Sequence, residues 1–495
     1  MTRFLGRLVV AILLLFLVVV AVAAARVLLY EQADDADHLA AKRHYLGRLA
    51  EERRARPSGA PSEIAAPNLV VILFDDLGYG DLGVTGARAI RTPQIDRLAD
   101  EGLRLTRYYS PATNCTPSRV GLLTGRYAPR AGLTDIVFPD NSPFTWLAKA
   151  TGRNIRLPAE EITLADVLRA AGYRTFMAGK WHLGNQAPSR PRDFGFEHWL
   201  GVLYSNDMEP LALWRDEEII EPAPVDQRFL TEHYTDAAVD FLQDQREAPF
   251  FLYVAHSFPH IPLYASPDHE GRSQAGLYGD VVEDLDRSVG RILAALDERG
   301  LSENTIVLVT SDNGPWYQGA PGRGIRGRKN ASWRGSQRVP AIVRWPAAVP
   351  AGARSAEPVM GIDLLPTMLE AAGLPAPPDR QLDGRSLLDV LRGGPTPHEA
   401  LFFYMGGDLF AVEQGRWRYR LRRPVSAGEM SDSPVRLAMP KGPWLFDLEL
   451  DSEESWNVAA RYPDIAARLQ RLVDARRAAA ATDPRGWDVT ARSRP

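Results

Sequence analysis

Four apolar runs constrain this chain most. The first, Leu69-Val70-Val71-Ile72-Leu73-Phe74, ends in Asp75-Asp76. Thr175-Phe176-Met177-Ala178 leads into Lys180 and His182, and Phe250-Phe251-Leu252-Tyr253-Val254-Ala255 leads into His256 and His260. Thr305-Ile306-Val307-Leu308-Val309 leads into Thr310-Ser311-Asp312-Asn313-Gly314. A run that is apolar throughout, instead of alternating, reads as a strand buried on both faces. Helical patterns separate the runs: Leu164 to Ala171 after the N-cap candidate Thr163, and Tyr278 to Arg299 stopped by Gly300. The alternation predicts an α/β fold with a large mixed, mostly parallel sheet sandwiched by helices. Ligands of such sheets gather outside the carboxyl ends of the strands, where these polar residues fall.

The chain has 495 residues, 45% of them apolar, which suits a folded protein with a large core. A net charge of −4 gives no reason to expect a nucleic-acid partner. The single cysteine, Cys115, excludes an internal disulfide framework.

Arg3 and Arg7 precede an uncharged apolar stretch from Leu8 to Ala25, which as a helix spans about 27 Å, close to the hydrocarbon thickness of a bilayer. With the arginines on the cytoplasmic side, the rest of the chain is extracytoplasmic. Ala23-Ala24-Ala25 also resembles a signal-peptidase site. Residues 1–30 are therefore read as a signal anchor or signal peptide, the leucine- and valine-rich composition favouring the uncleaved anchor. Residues 31–66 read as a stalk or linker, with mixed charges on a helix-compatible stretch from Ala40 to Arg56 and then Pro57-Ser58-Gly59-Ala60-Pro61-Ser62. Residues 67–384 form the expected catalytic domain. Residues 385–495, with short alternating segments at Leu401–Tyr404, Leu409–Glu413 and Trp417–Leu421 and a helical pattern from Tyr462 to Ala480, form a smaller subdomain of antiparallel sheet plus helix.

Asp75, Asp76, Asp312 and Asn313 supply three carboxylates and an amide oxygen, a set suited to a hard divalent cation and to calcium more than zinc. Each pair alone also reads as a turn or helix cap. Lys180 and His182 share one face if the strand continues through them, with Trp181 on the other. A histidine near a strand end can equally be a satisfied polar group, and His256 is assigned a structural role. Arg119 follows Cys115 by four residues, so a helix starting near Pro117 would turn it back over the thiol. Tyr204-Ser205-Asn206-Asp207 reads as a polar loop near the site.

Cys115-Thr116-Pro117-Ser118-Arg119-Val120-Gly121-Leu122-Leu123-Thr124-Gly125-Arg126 resembles the signature of the formylglycine-dependent sulfatases, arylsulfatase-like members of the alkaline phosphatase superfamily. Asp75-Asp76-Leu77-Gly78-Tyr79-Gly80-Asp81-Leu82-Gly83, Ala178-Gly179-Lys180-Trp181-His182-Leu183-Gly184 and Thr310–Gly314 resemble further family motifs, in family order. Leu445-Phe446-Asp447-Leu448-Glu449 with Asp451, Glu454 and Asn457 resembles the C-terminal signature, so the likeness runs from about residue 67 to about residue 475. It implies that a formylglycine-generating enzyme oxidises Cys115 to 3-oxoalanine, whose hydrate coordinates one calcium ion beside Asp75, Asp76, Asp312 and Asn313. It implies that Arg119 and Lys180 hold the gem-diol, that Lys180, His260 and Lys329 bind the sulfate and assist the leaving oxygen, and that Ser205 contacts substrate. One gem-diol hydroxyl would attack sulfur, and His182 would take a proton from the other as sulfate is expelled.

The substrate class implied is a sulfated small molecule or glycan. A formylglycine-dependent phosphodiester or phosphonate monoester hydrolase is the alternative enzyme, and a non-catalytic binder of sulfated ligands the alternative outside enzymes. One stretch departs from the family pattern: where relatives carry Glu-Gly-Gly-x-Arg, this chain has Arg334-Gly335-Ser336-Gln337-Arg338 before Val339-Pro340. The glutamate-to-arginine change reverses a charge and Ser336 replaces a permissive glycine, which bears on the loop that carries Lys329.

Overall fold

The structure is a computed structural model that describes residues 2–55, 66–244, 248–320, 322–421 and 442–487. The four apolar runs form the strands Asn68–Phe74, Arg174–Lys180, Phe250–Ala255 and Thr305–Ser311. They lie in a ten-stranded sheet. Its five central strands, Thr305–Ser311, Asn68–Phe74, Phe250–Ala255, Arg174–Lys180 and His198–Val202, are mutually parallel in that spatial order. Antiparallel pairing begins on each flank, with Ala341–Arg344 on one side and Leu213–Arg215 on the other, so the sheet is mixed and mostly parallel at its centre.

Side chains of Asn68–Phe74 divide between the two faces with period two. Leu69, Val71 and Leu73 enter a core shared with the helices Leu164–Ala171 and Leu364–Ala371. Val70, Ile72 and Phe74 enter the opposite core, against Pro93–Asp100, Leu230–Gln243 and Gly276–Glu298. A strand buried on both faces cannot alternate, which is why its sequence is apolar throughout. Thr163 caps its helix as expected: its hydroxyl accepts from Asp166 N–H, and the Asp166 carboxylate accepts from Thr163 N–H at 2.9 Å.

The apolar N-terminal segment is the helix Thr2–Leu28, of which Phe4–Leu28 is long and apolar enough to cross a membrane, and only its C-terminal end meets the body. The segment read as a linker is helical over Ala36–Ala55, and this helix lies on the body. It buries Tyr45 and Leu49, and Lys42 Nζ pairs with Asp166 at 3.0 Å. The Pro57–Ser62 stretch lies outside the described residues.

The C-terminal part contains a four-stranded antiparallel sheet, Leu401–Met405, Asp408–Gln414, Trp417–Arg420 and Trp444–Asp447 in sequential order. Leu469 and Val473 of the helix Pro463–Thr482 pack on Val412, Tyr419 and Leu445 of this sheet. The fourth strand comes from the Leu445–Glu449 stretch, whose alternation is too short to read as a strand by itself.

Candidate active site

The parallel register brings the strand ends together: Leu73 lies opposite Ala255, Phe74 opposite Ser311, and Gly179 opposite Ala255. Just beyond them sit Asp75-Asp76, Lys180, His260 and Asp312-Asn313, at one edge of the sheet. Asp76 adopts the left-handed region with φ 68°, an uncommon conformation for a residue with a side chain and one met at functional sites. Its backbone N–H donates to Asp312 Oδ1 at 3.2 Å.

Cys115 is buried in the first turn of the helix Cys115–Thr124. Its Sγ lies 3.4 Å from Asp75 Oδ1 and 3.2 Å from Lys329 Nζ. Asp75, Asp76, Cys115 and His260 can each present one donor atom within 4.8 Å of all the others. Lys329 also meets Asp76 at 2.8 Å, and Lys180 Nζ contacts both Asp75 and Ser205, the latter at 3.0 Å. Arg119, one helical turn after Cys115, sends Nε to Asp312 Oδ2 at 3.0 Å and donates to the Lys180 carbonyl at 2.6 Å. Three buried carboxylates thus face three buried cations.

The strand does not continue through Lys180 and His182. It ends at Lys180, and His182 has φ 63°, so the two side chains reach the site by a turn and not by strand alternation. His182 Nε2 lies 2.9 Å from the Val137 carbonyl. A carbonyl only accepts, so Nε2 carries the hydrogen and Nδ1, buried and unpartnered, keeps its lone pair. Burial, and then Lys180 and Arg119, hold the His182 pKa well below the ordinary value, so the ring is a neutral proton acceptor. His260 is oriented in the same manner: Nδ1 faces Asn206 Oδ1 at 3.0 Å and the Ile261 carbonyl at 2.5 Å, leaving Nε2 3.8 Å from Asp76. Burial and the Lys329 charge lower its pKa.

Burial pushes the Cys115 thiol up, and the Asp75 charge pushes it further. An unmodified thiol here is protonated and a poor nucleophile. Burial followed by the charge of Asp75 raises Asp312 to about 7. Asp75 is held well below the carboxylate range against its burial by Lys180, His260 and Arg119. Lys329 is raised well above its ordinary value against burial by Asp76 and Asp75, and so stays charged.

The donor set fits a hard cation. Asn313 Nδ2 donates to Asp76 Oδ1 and to the Gly314 carbonyl, which turns its own Oδ1 away, buried and without a partner. A buried acceptor without a hydrogen-bond partner, on the residue that donates to Asp76, is what an oxygen-seeking divalent ion would satisfy. Such an ion would also relieve the repulsion that raises Asp312.

The matches to known proteins decide the family. The model of the family described as Sulfatase matches residues 67–374. The chain belongs to the sulfatase family. It is 38% identical over 386 residues to the N-acetylgalactosamine-6-sulfatase of Mus musculus, across 74% of this chain and 73% of the relative. It is 33% identical over 439 residues to the steryl-sulfatase of Homo sapiens, across 71% and 74%. A solved structure from work on glycosaminoglycan metabolism by Bacteroides thetaiotaomicron matches with a TM-score of 0.74 at 27% identity, covering 83% of this chain and 98% of that one. A sulfatase from Pseudoalteromonas sp. matches with a TM-score of 0.74 at 25% identity, over 91% and 96%. This sulfatase is accordingly an enzyme of the alkaline phosphatase superfamily that hydrolyses sulfate esters.

Around this sulfatase's site, the Val137 carbonyl that sets the His182 tautomer is backbone and carries no sequence signal. Asn206, from the polar loop read near the site, orients His260 and is held by Gln227 and the Pro262 carbonyl. The unusual Arg334 has a structural answer. Its backbone N–H donates to Glu454 Oε2 at 2.7 Å and its guanidinium to the Ser452 carbonyl at 2.9 Å. Glu454 also pairs with Arg418 at 3.0 Å, and Arg418 with Glu413 at 3.3 Å. The guanidinium thus docks on a backbone carbonyl of the C-terminal part, its charge also helps hold the buried Glu413 carboxyl below its ordinary range, and Lys329 remains at the sulfur.

Proposed function

We propose that Cys115, oxidised to 3-oxoalanine by a formylglycine-generating enzyme, is the nucleophile of this sulfatase, and that one calcium ion lies beside it on Asp75, Asp76, Asp312 and Asn313. The observation that carries the reading is the approach of Lys329 Nζ to Cys115 Sγ, 3.2 Å, inside a cluster of carboxylates. The hydrated aldehyde supplies a hydroxyl that a thiol cannot, and its second hydroxyl lets the carbonyl re-form. Bound calcium supplies Lewis-acid charge for the sulfuryl oxygens.

The chain's own residues supply the rest. Arg119 pins Asp312 and the Lys180 backbone, which keeps the helix of Cys115 against the strand ends. Lys180 on Asp75 and Lys329 on Asp76 would turn part of their hydrogen bonding to an entering sulfate. His182 Nδ1 is the open base for the proton of the second hydroxyl. His260 Nε2, with Lys329, faces the leaving oxygen, and Ser205 joins Lys180 to His260 at 3.0 and 3.5 Å.

The substrate is a sulfate monoester of a small molecule or glycan. The names of relatives acting on N-acetylgalactosamine-6-sulfate and on steryl sulfate bracket the class. The N-terminal helix is read as an uncleaved anchor that keeps residues 67–384, the catalytic domain, and residues 385–495, its C-terminal subdomain, on the extracytoplasmic side. Rates on matched aryl sulfate and aryl phosphodiester substrates test the reaction: the sulfate is preferred, and a large preference for the phosphorus ester would overturn it.

A further inference from the structure

The helix Pro143–Thr151 exposes its apolar side chains. Phe144 is 62% exposed, Leu147 61% and Trp146 48%. Phe144 and Leu147 are three residues apart, so they share a face, and Pro143 and Trp146 continue it. Grouped apolar residues of this size on a folded surface mark an interaction site.

The neighbour of this helix identifies what covers it. The exit end of the apolar N-terminal helix lies against it: Arg26 donates to the Ala150 carbonyl at 3.3 Å, and the Tyr30 hydroxyl donates to the Arg153 carbonyl at 2.6 Å. The half-buried Ala23, Val27 and Tyr30 lie at helical spacing on the N-terminal segment. The patch therefore sits where that segment would leave a bilayer. Aromatic rings and basic side chains are the residues favoured at that depth, and here they are Phe144, Trp146, Tyr30, Arg26 and the exposed Arg153.

We propose that Pro143–Thr151 is an interfacial helix seated in the headgroup region of the same phospholipid bilayer that holds the N-terminal helix. The inference rests on the anchor reading above. Its consequence reaches the site: Phe144 stacks on Phe138 at 4.8 Å, the Val137 N–H donates to Thr116 Oγ1 at 3.2 Å, and the Val137 carbonyl holds His182. Residues 137–144 thus run from the general base directly to the lipid surface, and the seat sets the orientation of the catalytic edge over it.

The test places an environment-sensitive fluorophore on Leu147→Cys of the full chain in vesicles of phosphatidylcholine and phosphatidylglycerol. Cys115 is buried, so the introduced thiol takes the label. Val18→Cys in the apolar helix and Glu298→Cys, exposed on the helix Gly276–Glu298 of the opposite sheet face, serve as references. Shallow doxyl lipid is expected to quench the label at 147 several-fold more than at 298. Quenching at 147 equal to that at 298, with position 18 quenched by deep doxyl lipid, would overturn the seat and keep the anchor. A shielded label at 147 that no doxyl lipid quenches would mean that protein covers the patch, which also overturns the seat. Absence of lipid quenching at both 18 and 147 would overturn the anchor reading and the seat with it.

Discussion

Asn313 donates its amide hydrogens to Asp76 Oδ1 at 2.7 Å and to the Gly314 carbonyl, and its own amide oxygen is left buried with no hydrogen-bond partner. If Asn313 holds the proposed calcium ion, Asn313→Ala removes a neutral oxygen ligand and also the donor to Asp76. We expect calcium affinity, measured by titration calorimetry, to fall at least about tenfold. Unchanged affinity would place the ion elsewhere.

Lys329→Ala removes the cation nearest Cys115 Sγ. If Lys329 stabilises charge on the sulfate in the transition state, kcat should fall roughly 10²–10³-fold. Lys329→Arg keeps the charge but changes its shape, and should recover only part of the loss. A kcat within about twofold of the parent for Lys329→Ala would remove Lys329 from the mechanism.

Much of this site is legible in the sequence alone. Asp75, Asp76, Cys115, Lys180 and Asp312 each sit in a motif whose position after an apolar run or within a helical signature is read directly from the chain. Other parts are long-range and leave no local trace. Lys329 approaches Cys115 from 214 residues away, and the departure at Arg334 bears on its loop, whose backbone is held there by Glu454, 120 residues further on. Strand alternation was the wrong guide for His182, because the strand stops at Lys180 and a positive φ redirects the chain. The Ala36–Ala55 helix lacks an obvious apolar stripe, since only Tyr45 and Leu49 supply its large buried apolar side chains and Lys42 is held by an ion pair, so its docking could not be read from periodicity.

Glu454 is buried and holds both Arg418 and the Arg334 backbone. Glu454→Ala leaves a buried guanidinium and a buried N–H short of an acceptor, and should cost roughly 3–5 kcal/mol in urea unfolding. Glu454→Gln keeps an acceptor for Arg334 N–H and should cost less. Equal, small effects of both would show that Glu454 does not tie the Arg334 backbone and Arg418 to the C-terminal part.

His256 is buried beside Ser288 at 3.2 Å and stacks on Phe74. Burial lowers its pKa to about 4 from 6.5. Between these values the unfolded chain binds the proton and the folded chain does not. The stability tied to its neutral form is therefore present above pH 6.5 and lost as pH falls towards 4, by roughly 3 kcal/mol. Unfolding of His256→Gln, compared with the parent across this window, should show a flatter pH dependence. Parallel curves would refute the assignment of His256 as a buried neutral structural residue.

The central claim is that the sulfur of Cys115 is exchanged for an aldehyde before the enzyme works. The direct measurement is sulfate release from an aryl sulfate, taken on preparations in which mass spectrometry has fixed the fraction of the Cys115 peptide carrying aldehyde. The account predicts a rate proportional to that fraction and extrapolating to zero for pure thiol. Undiminished turnover by protein whose Cys115 is entirely thiol would contradict it.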